Sequence, residues 1–351
     1  YLCRMTRLGV KNIRQLSLSE LEQYFESLGE KKFRARQVHE WLWQKGAGSF
    51  EAMSNLSKEL RQRLGEQFTL PALTIDATQH SADGTIKSRF RTHDGHLVEG
   101  VLIPTDERKT ACVSSQIGCS LSCRFCATGY MERKRNLEFD EIYDEVVLIN
   151  RQSEQTYQKK LTNIVFMGMG EPLLNYKNVL KAIQRITSPD GLGMSPRRIT
   201  VSTAGVAKMI KQLGDDKVKF KLALSLHAAN DKKRNEIMPI NETNNLKALI
   251  EALNYFYKQT KNEITFEYIL FKNFNDSLQD ADELIKIYRQ VPADLVNIIE
   301  YNPIDAAQFA KPDERTIEQF MNYLEKNRVN ARLRRSRGKD IDAACGQLAN
   351  K

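Results

Sequence analysis

The spacing of apolar and polar residues changes along the chain and divides its 351 residues into three parts. In residues 1–70 apolar side chains recur at helical spacing, and Ser17 stands where it can cap the first helix. Residues 71–108 alternate polar and apolar side chains on both sides of Asp94-Gly95, a pattern typical of a β-hairpin. We therefore predict a small N-terminal helical domain, 1–70, followed by a β-hairpin linker, 71–108.

Beyond residue 108, short β-rich runs alternate with helical stretches of ordinary length. The predicted strands lie near 110–116, 161–167, 198–203, 219–226, 263–271, 294–300 and 329–334, and the clearest helices are 138–152, 244–260 and 314–327. Strands that alternate with helices form a parallel sheet with right-handed crossovers. We predict that 109–351 is an α/β domain, a partial or full (β/α) barrel, with its active site at the carboxyl ends of the strands.

The composition fits a chain with a sizeable core and no membrane span. Hydrophobic residues make up 41% of the sequence, yet no run of about 18 apolar residues occurs. The first residues lack the apolar segment of a secretion signal, so we expect a cytoplasmic protein without membrane contact. Six cysteines are too few for a disulfide scaffold, and clustered cysteines in a reducing compartment indicate metal binding or catalysis.

The net charge of +9 favours a polyanionic partner such as nucleic acid, although a basic protein without such a partner is equally compatible with it. The basic stretch around Phe33, EKKFRAR, allows the same two interpretations: an RNA-facing surface or a solvated helix face.

The clearest chemical signal is the CxxxCxxC motif formed by Cys119, Cys123 and Cys126 after the first barrel strand. A 4Fe–4S cluster normally takes four cysteines, so three would leave one iron open to a ligand that is not protein. Structural zinc is the alternative, but it requires four protein ligands, and only Cys112 stands near enough in sequence to be recruited. A non-catalytic iron–sulfur or zinc module that binds RNA therefore stays open at this point.

Small and polar residues follow several predicted strands where a barrel would place its site. They are Gly170 and Glu171, Ser202, Ser225 with Leu226 and His227, and Asn302. One such residue is usually a cap or turn, whereas a series on successive strand ends indicates a cofactor pocket. Cys112 and Cys345 each fit a small buried apolar residue, but if both reach the barrel mouth they can act as a nucleophile and its disulfide partner.

The chain resembles the RlmN/Cfr family of radical S-adenosylmethionine (SAM) RNA methyltransferases, from about residue 10 to its end. The likeness rests on LGEKKFRARQV, VEGVLIP, ACVSSQIGCSLSCRFCATG, FMGMGEPLLN, SPRRITVSTAGV, SLHA, MPIN, EYNP and RGKDIDAACGQL. One departure is the loop 130–135, where relatives carry a glycine–aromatic pair. MGEPLLN and RSRGKDIDAACGQL are more similar to RlmN than to Cfr, which tends to carry alanine where Pro172 stands here.

The resemblance implies a 4Fe–4S cluster on Cys119, Cys123 and Cys126, with SAM bound by Gly170, Glu171, Ser202, Ser225, Leu226, His227 and Asn302. It implies that Cys345 carries a methyl group from one SAM, that a radical from a second SAM activates it, and that Cys112 resolves the RNA adduct and leaves a Cys112–Cys345 disulfide. Glu99 matches the proposed proton acceptor; otherwise it is an exposed strand carboxylate. The implied product is adenosine methylated at carbon 2, or at carbon 8 as in Cfr. The implied partners are 23S rRNA, tRNA and an electron donor such as flavodoxin, and we expect a monomer.

Overall fold

The fold was obtained as a computed structural model, which describes residues 11–351. Residues 1–10 of the predicted N-terminal domain, including Cys3, lie outside the described residues.

The helices of the described part are α1 (Leu18–Ser27), α2 (Lys32–Trp43), α3 (Lys58–Gln67), α4 (Phe139–Tyr157), α5 (Tyr176–Thr187), α6 (Ala207–Asp215), α7 (Asp231–Ile237), α8 (Leu246–Thr260), α9 (Leu278–Tyr288) and α10 (Glu314–Lys326). The strands are β1 (Lys11–Asn12), β2 (Phe68–Thr69), β3 (Thr74–His80), β4 (Ile86–Arg91), β5 (Leu97–Pro104), β6 (Lys109–Cys112), β7 (Gln116–Ile117), β8 (Arg135–Asn136), β9 (Asn163–Phe166), β10 (Ile199–Thr203), β11 (Lys221–Ser225), β12 (Ile264–Leu270), β13 (Leu295–Glu300) and β14 (Ala331–Arg334).

Helices α1 to α3 form a small unit that packs on the outside of the barrel. Ser17 caps α1 as predicted, within a capping box that Glu20 completes. The unit is fixed to α4 by Trp43, whose ring stacks on Phe139 at 5.8 Å between centroids. A buried ion pair, Arg14 Nη1 to Asp144 Oδ2 at 2.8 Å, joins the same two parts. The N-terminal unit is therefore attached to the barrel by a packed interface.

Ten strands form one sheet in the order β14-β13-β12-β11-β10-β9-β6-β5-β4-β3. The predicted hairpin is present as β4 and β5, which pair antiparallel. Strand β3, which the sequence did not predict, adds a third antiparallel strand beside β4. Because β5 also pairs with β6, the linker continues directly into the barrel sheet.

Strands β6 and β9 to β14 run parallel and curl into a partial barrel, which confirms the predicted (β/α) barrel, while β7 and β8 pair antiparallel outside this sheet. Strands β3 and β14 are the edges of the sheet, so the barrel is open. The curl is visible where Nη1 of Arg334, on β14, lies 3.8 Å from Sδ of Met167 after β9, although four strands separate β14 from β9 in the sheet. Within residues 11–351, no helix has the length and apolar character needed to cross a membrane.

Candidate active site

A cleft of about 870 Å³ opens at the carboxyl ends of the parallel strands. The predicted site residues that line it are Cys119, Cys123, Cys126, Gly170, Glu171, Ser202, Ser225, His227 and Cys345. The structure therefore brings together residues that lie up to 226 positions apart in the chain, from the cysteine motif to its last segment.

The three motif cysteines lie on the loop between β7 and β8, at the wall of the cleft. The amide of Cys126 donates to the carbonyl of Cys123 at 3.2 Å, which turns the loop tightly. Gly129 is required there, because a Cβ at this position would lie 2.6 Å from the carbonyl oxygen of Cys123. The loop 130–135 ends in β8, which pairs with β7 and so closes this turn.

The geometry of the three thiols fits a cluster better than a single zinc ion. In the described residues only His93, Asp94 and Glu141 bring three ligand atoms within 4.8 Å of one another. The three cysteine sulfurs do not all lie within this distance of one another, whereas a zinc ion with Zn–S bonds of about 2.3 Å would hold them closer together. Burial raises the pKa of the Cys119 thiol to about 11 and raises those of Cys123 and Cys126 as well. Metal must therefore displace protons from these thiols when it binds.

Glu171 ties two strand ends together at the wall of the cleft. Its carboxylate accepts hydrogen bonds from the amides of Leu173 at 3.0 Å and Ala204 at 2.7 Å. Gly170 precedes it with a φ of +90°, and a Cβ there would lie 2.4 Å from Cβ of Gln116. Burial raises the pKa of Glu171, so the two amide donors are what offset the cost of a charged carboxylate here.

The next two strand ends contribute Ser202 and Ser225, whose hydroxyl oxygens lie 3.2 Å apart. His227 follows with a φ of +54°, and its Nδ1 accepts a hydrogen bond from the amide of Ile269 at 3.1 Å. Burial, with a smaller effect of nearby Arg234, lowers the pKa of His227 to about 3, so its ring is neutral at physiological pH. This wall of the cleft therefore offers neutral hydrogen-bonding groups.

Two predicted cofactor residues do not line the cleft. Leu226 is fully buried in the core, and only its backbone is placed near the strand ends. Asn302 instead donates from Nδ2 to the carbonyl oxygen of Cys345 at 3.2 Å, so it holds the segment that carries this cysteine.

The segment 343–350, which we call the C-terminal strap, carries Cys345 across the cleft. Its carbonyls accept from the amide of Ala127, which donates to Gly346 at 2.7 Å, and from the hydroxyl of Thr128, which donates to Leu348 at 2.6 Å. The strap thereby lies directly against the cysteine loop. Cys345 lines both the cleft and an adjoining pocket of about 690 Å³.

Glu99 anchors the far end of the strap. Its Oε2 accepts from the amides of Ala349 at 2.9 Å and Asn350 at 3.0 Å. The alternative interpretation of an exposed strand carboxylate is wrong, because Glu99 is 0% exposed and its Oε1 lies 3.6 Å from Nζ of buried Lys87. The structure does not place Glu99 in the lining of the cleft.

Cys112 lines the adjoining pocket together with Cys345. Burial and the neighbouring Cys345 raise the pKa of Cys112 to about 12, against an opposing effect of Arg334. Both cysteines are free thiols in the structure, so the expected Cys112–Cys345 disulfide is not present. The structure confirms only that the two residues share one pocket.

Sequence reasoning missed two charged residues that line the cleft, Glu267 on β12 and Arg334 at the end of β14. It also missed Arg234, a fully buried guanidinium that donates to the carbonyl oxygens of Ser225 at 3.2 Å and Leu226 at 3.1 Å. Arg334 stands in the run RLRRSRG, which by pattern alone is a basic surface segment.

Comparison with known proteins decides the family. Residues 11–70 match the model of the ribosomal RNA large subunit methyltransferase N-terminal domain, and residues 113–285 match that of the radical SAM superfamily. The "Probable dual-specificity RNA methyltransferase RlmN" of Cytophaga hutchinsonii is 59% identical over 100% of this chain and 97% of its own length. The chain belongs to the RlmN family.

A second relative and a solved structure agree with this assignment. The dual-specificity RNA methyltransferase RlmN of Anaeromyxobacter sp. is 44% identical over 96% of this chain and 90% of its own length. The crystal structure of a radical SAM methyltransferase from Sphaerobacter thermophilus superimposes with a TM-score of 0.92 and 39% identity, covering 97% of this chain and all of that one. As an RlmN-family member the chain is a radical SAM enzyme that methylates RNA and uses a 4Fe–4S cluster and SAM. The non-catalytic alternative is therefore wrong.

We expect Cys123→Ala to abolish cluster binding. Anaerobic reconstitution of the wild-type chain should load about four irons, as expected for a three-cysteine cubane site. The variant removes one of three thiolates and should load less than about one iron and cleave no SAM. Iron analysis and the visible absorption spectrum measure this, with Cys112→Ala as a matched cysteine variant that should load normally. Stoichiometric zinc in the wild-type chain and no capacity for iron would contradict the assignment of these ligands.

Proposed function

We propose that this RlmN-family enzyme methylates carbon 2 of adenosine in 23S rRNA and in tRNA, with Cys345 as the carrier of the methyl group and two SAM consumed per turnover. The observation that carries the proposal is the position of Cys345, which lies on the strap between the cysteine loop and the pocket that holds Cys112. One sulfur thus faces both the cofactor cleft and a second thiol.

Carbon 2 of adenine is electron-poor, so it does not attack the methyl group of SAM as a nucleophile. A cysteine thiolate does, and Cys345 is proposed to take the methyl group first. When bound, the cluster and a second SAM supply the 5′-deoxyadenosyl radical that removes a hydrogen atom from this methyl group. The carbon on Cys345 would then add to adenine, and the adduct would give up one electron to the cluster. The thiolate of Cys112 is proposed to attack the sulfur of Cys345, so that the S–C bond breaks with its electron pair on the new methyl carbon, which takes a proton. A Cys112–Cys345 disulfide would remain for an external reductant.

The cofactor contacts are proposed for the residues of the strand ends, Gly170, Glu171, Ser202, Ser225, Leu226, His227 and Asn302. The fixed carboxylate of Glu171 suits an ammonium group, and the tight turn at Gly170 allows close approach of backbone. Leu226 would contribute backbone only, since its side chain is buried.

Glu99 is proposed as the proton acceptor that restores the aromatic adenine ring. Its Oε1 accepts no hydrogen bond in the described part of the chain and is held only by the charge of Lys87 at 3.6 Å, which supports this role. Glu99 would reach the base only when the strap has moved, because its Oε2 is occupied by the amides of Ala349 and Asn350.

The N-terminal helical unit is proposed to dock the RNA, and a protein such as flavodoxin to supply the electron. Phe33 is 47% exposed on α2, and the guanidinium of Arg34 lies 4.7 Å from the centre of its ring. An exposed ring with a stacked cation is a surface on which bases stack.

The position of methylation tests the proposal. The reconstituted enzyme, given SAM, a reductant and 23S rRNA or tRNA without modification, should form 2-methyladenosine, measured by mass spectrometry of the digested nucleosides. Carbon 2 is favoured over carbon 8 because of the MGEPLLN sequence, whose Pro172 lines the cleft. RNA without enzyme is the control, and 8-methyladenosine as the main product would overturn the assignment of carbon 2.

A further inference from the structure

Arg334 is the charged group that reaches Cys345. Its Nη2 lies 3.7 Å from Sγ of Cys345, within hydrogen-bonding range for sulfur. The side chain is 31% exposed and lines both the cleft and the adjoining pocket, as Cys345 does. The neighbouring Cys345 raises the pKa of the Arg334 guanidinium, which agrees with a close contact between the two groups.

Glu267 fixes the direction of this guanidinium. Its Oε2 lies 3.3 Å from Nη1 of Arg334, so one nitrogen is held by the carboxylate while the other faces sulfur. Glu267 is itself held, since its Oε1 accepts from Nδ2 of Asn297 at 2.7 Å and from the hydroxyl of Thr265 at 3.2 Å. A chain of contacts across β13, β12 and β14 therefore ends at the sulfur of Cys345.

The next residue, Arg335, provides a comparison within the same strand end. Arg335 stands just beyond the end of β14 and also lines the adjoining pocket, but its side chain is 56% exposed and its guanidinium has other partners. It pairs with Glu314 at 2.8 Å and with Glu300. Of these two adjacent arginines, only Arg334 contacts the reactive cysteine.

We propose that Arg334 is a catalytic residue of the first half-reaction, in which it binds and orients the thiolate of Cys345 for attack on the methyl group of SAM. This inference rests on the proposed role of Cys345. The thiol gives up its proton to solvent, and a lone pair of the sulfur forms the new S–CH₃ bond. The bond between that methyl group and the sulfonium of SAM breaks, and its electron pair stays on the departing sulfur as S-adenosylhomocysteine. Arg334 stabilises the anion before the transfer and loses its anionic partner when the neutral thioether forms.

The test compares four variants with the wild-type chain, all carrying the cluster. One readout is the rate at which Cys345 gains a methyl group from SAM in the absence of RNA. The other is the rate at which iodoacetamide alkylates Cys345 at fixed pH without SAM. Both are followed by mass spectrometry of the peptide from residue 340 to 351.

Arg334→Gln should lower both rates by about tenfold or more, since a thiol without its cationic partner is a weaker nucleophile. Arg334→Lys should restore most of the loss, because it keeps the charge. Glu267→Gln should lower both rates by a smaller factor, because Arg334 is then no longer held in position by a carboxylate. Arg335→Gln should leave both rates unchanged.

Wild-type rates in Arg334→Gln, or an equal loss in Arg334→Gln and Arg335→Gln, would overturn the inference. A wild-type chain that never gains methyl on Cys345 would contradict the proposed function instead. In that event the iodoacetamide rates still decide whether Arg334 activates the sulfur.

Discussion

Cys345→Ala should stop RNA methylation and leave SAM cleavage by the cluster in place. The variant removes the sulfur that is proposed to carry the methyl group, so we expect the methylation rate to fall by at least about a thousandfold. The cluster ligands and the strand ends are untouched, so 5′-deoxyadenosine should still form under anaerobic reducing conditions. Methylated nucleosides and 5′-deoxyadenosine, both measured by mass spectrometry, check the two halves of this expectation.

The loss should not reflect unfolding. The strap is held through the backbone of Gly346 and Leu348 and through Glu99, and none of these contacts uses the side chain of Cys345. Loss of a partly exposed sulfur should cost about 1 kcal/mol of stability. Thermal unfolding should therefore be close to that of the wild-type chain, and Cys345→Ser, which keeps the shape, should be equally inactive. Multiple turnovers of methylation by either variant would refute the role of Cys345.

Cys112→Ala should accumulate enzyme that is covalently joined to its RNA. The methyl group on Cys345 can still form and add to adenine, but the thiol that shares the pocket is gone, so the adduct is not resolved. We expect a species that survives denaturing electrophoresis and disappears after nuclease treatment. The same peptide analysis should find the adduct on Cys345.

The double variant Cys112→Ala/Cys345→Ala separates this outcome from a packing defect. It should form no adduct, because the earlier step is lost. Cys112 is buried, and its replacement by alanine should cost about 1–2 kcal/mol of stability, whether or not RNA is trapped. Release of methylated RNA by Cys112→Ala at the wild-type rate would show that Cys112 is only a packing residue.

The alternation of strands and helices could be predicted because most of the parallel strands, such as β9, β11 and β12, are short and largely apolar runs. The strand predicted near 263–271 is β12, Ile264–Leu270, which is buried along its whole length. Strand β3 was missed because it is an exposed edge strand with a polar sequence. Its extended conformation is stabilised by pairing with β4, not by an apolar pattern in its own residues.

The cleft residues could be predicted where each stands at the carboxyl end of its strand, as Ser202 does in β10 and Ser225 in β11. The contact that anchors the strap could not be predicted. Glu99 and Ala349 are about 250 positions apart in the chain, and no local sequence pattern indicates that they meet. The different contacts of Arg334 and Arg335 could not be predicted from the sequence either. The two neighbours are identical in sequence and differ only in their contacts, which are Glu267 and Cys345 for Arg334 but Glu300 and Glu314 for Arg335.

The three cluster cysteines and Cys345 are held in different ways. The cluster loop is braced by the pairing of β7 with β8. The strap 343–350 belongs to no strand and is held by hydrogen bonds such as those with Thr128 and Glu99. Cys345 thus lies on a segment outside the sheet, whereas the cluster cysteines lie on a loop that two paired strands hold in place. A movement of the strap would break hydrogen bonds such as those of Thr128 and Glu99 but no strand pairing of the sheet, and under the proposed mechanism this allows Cys345 to meet SAM and the nucleobase in turn.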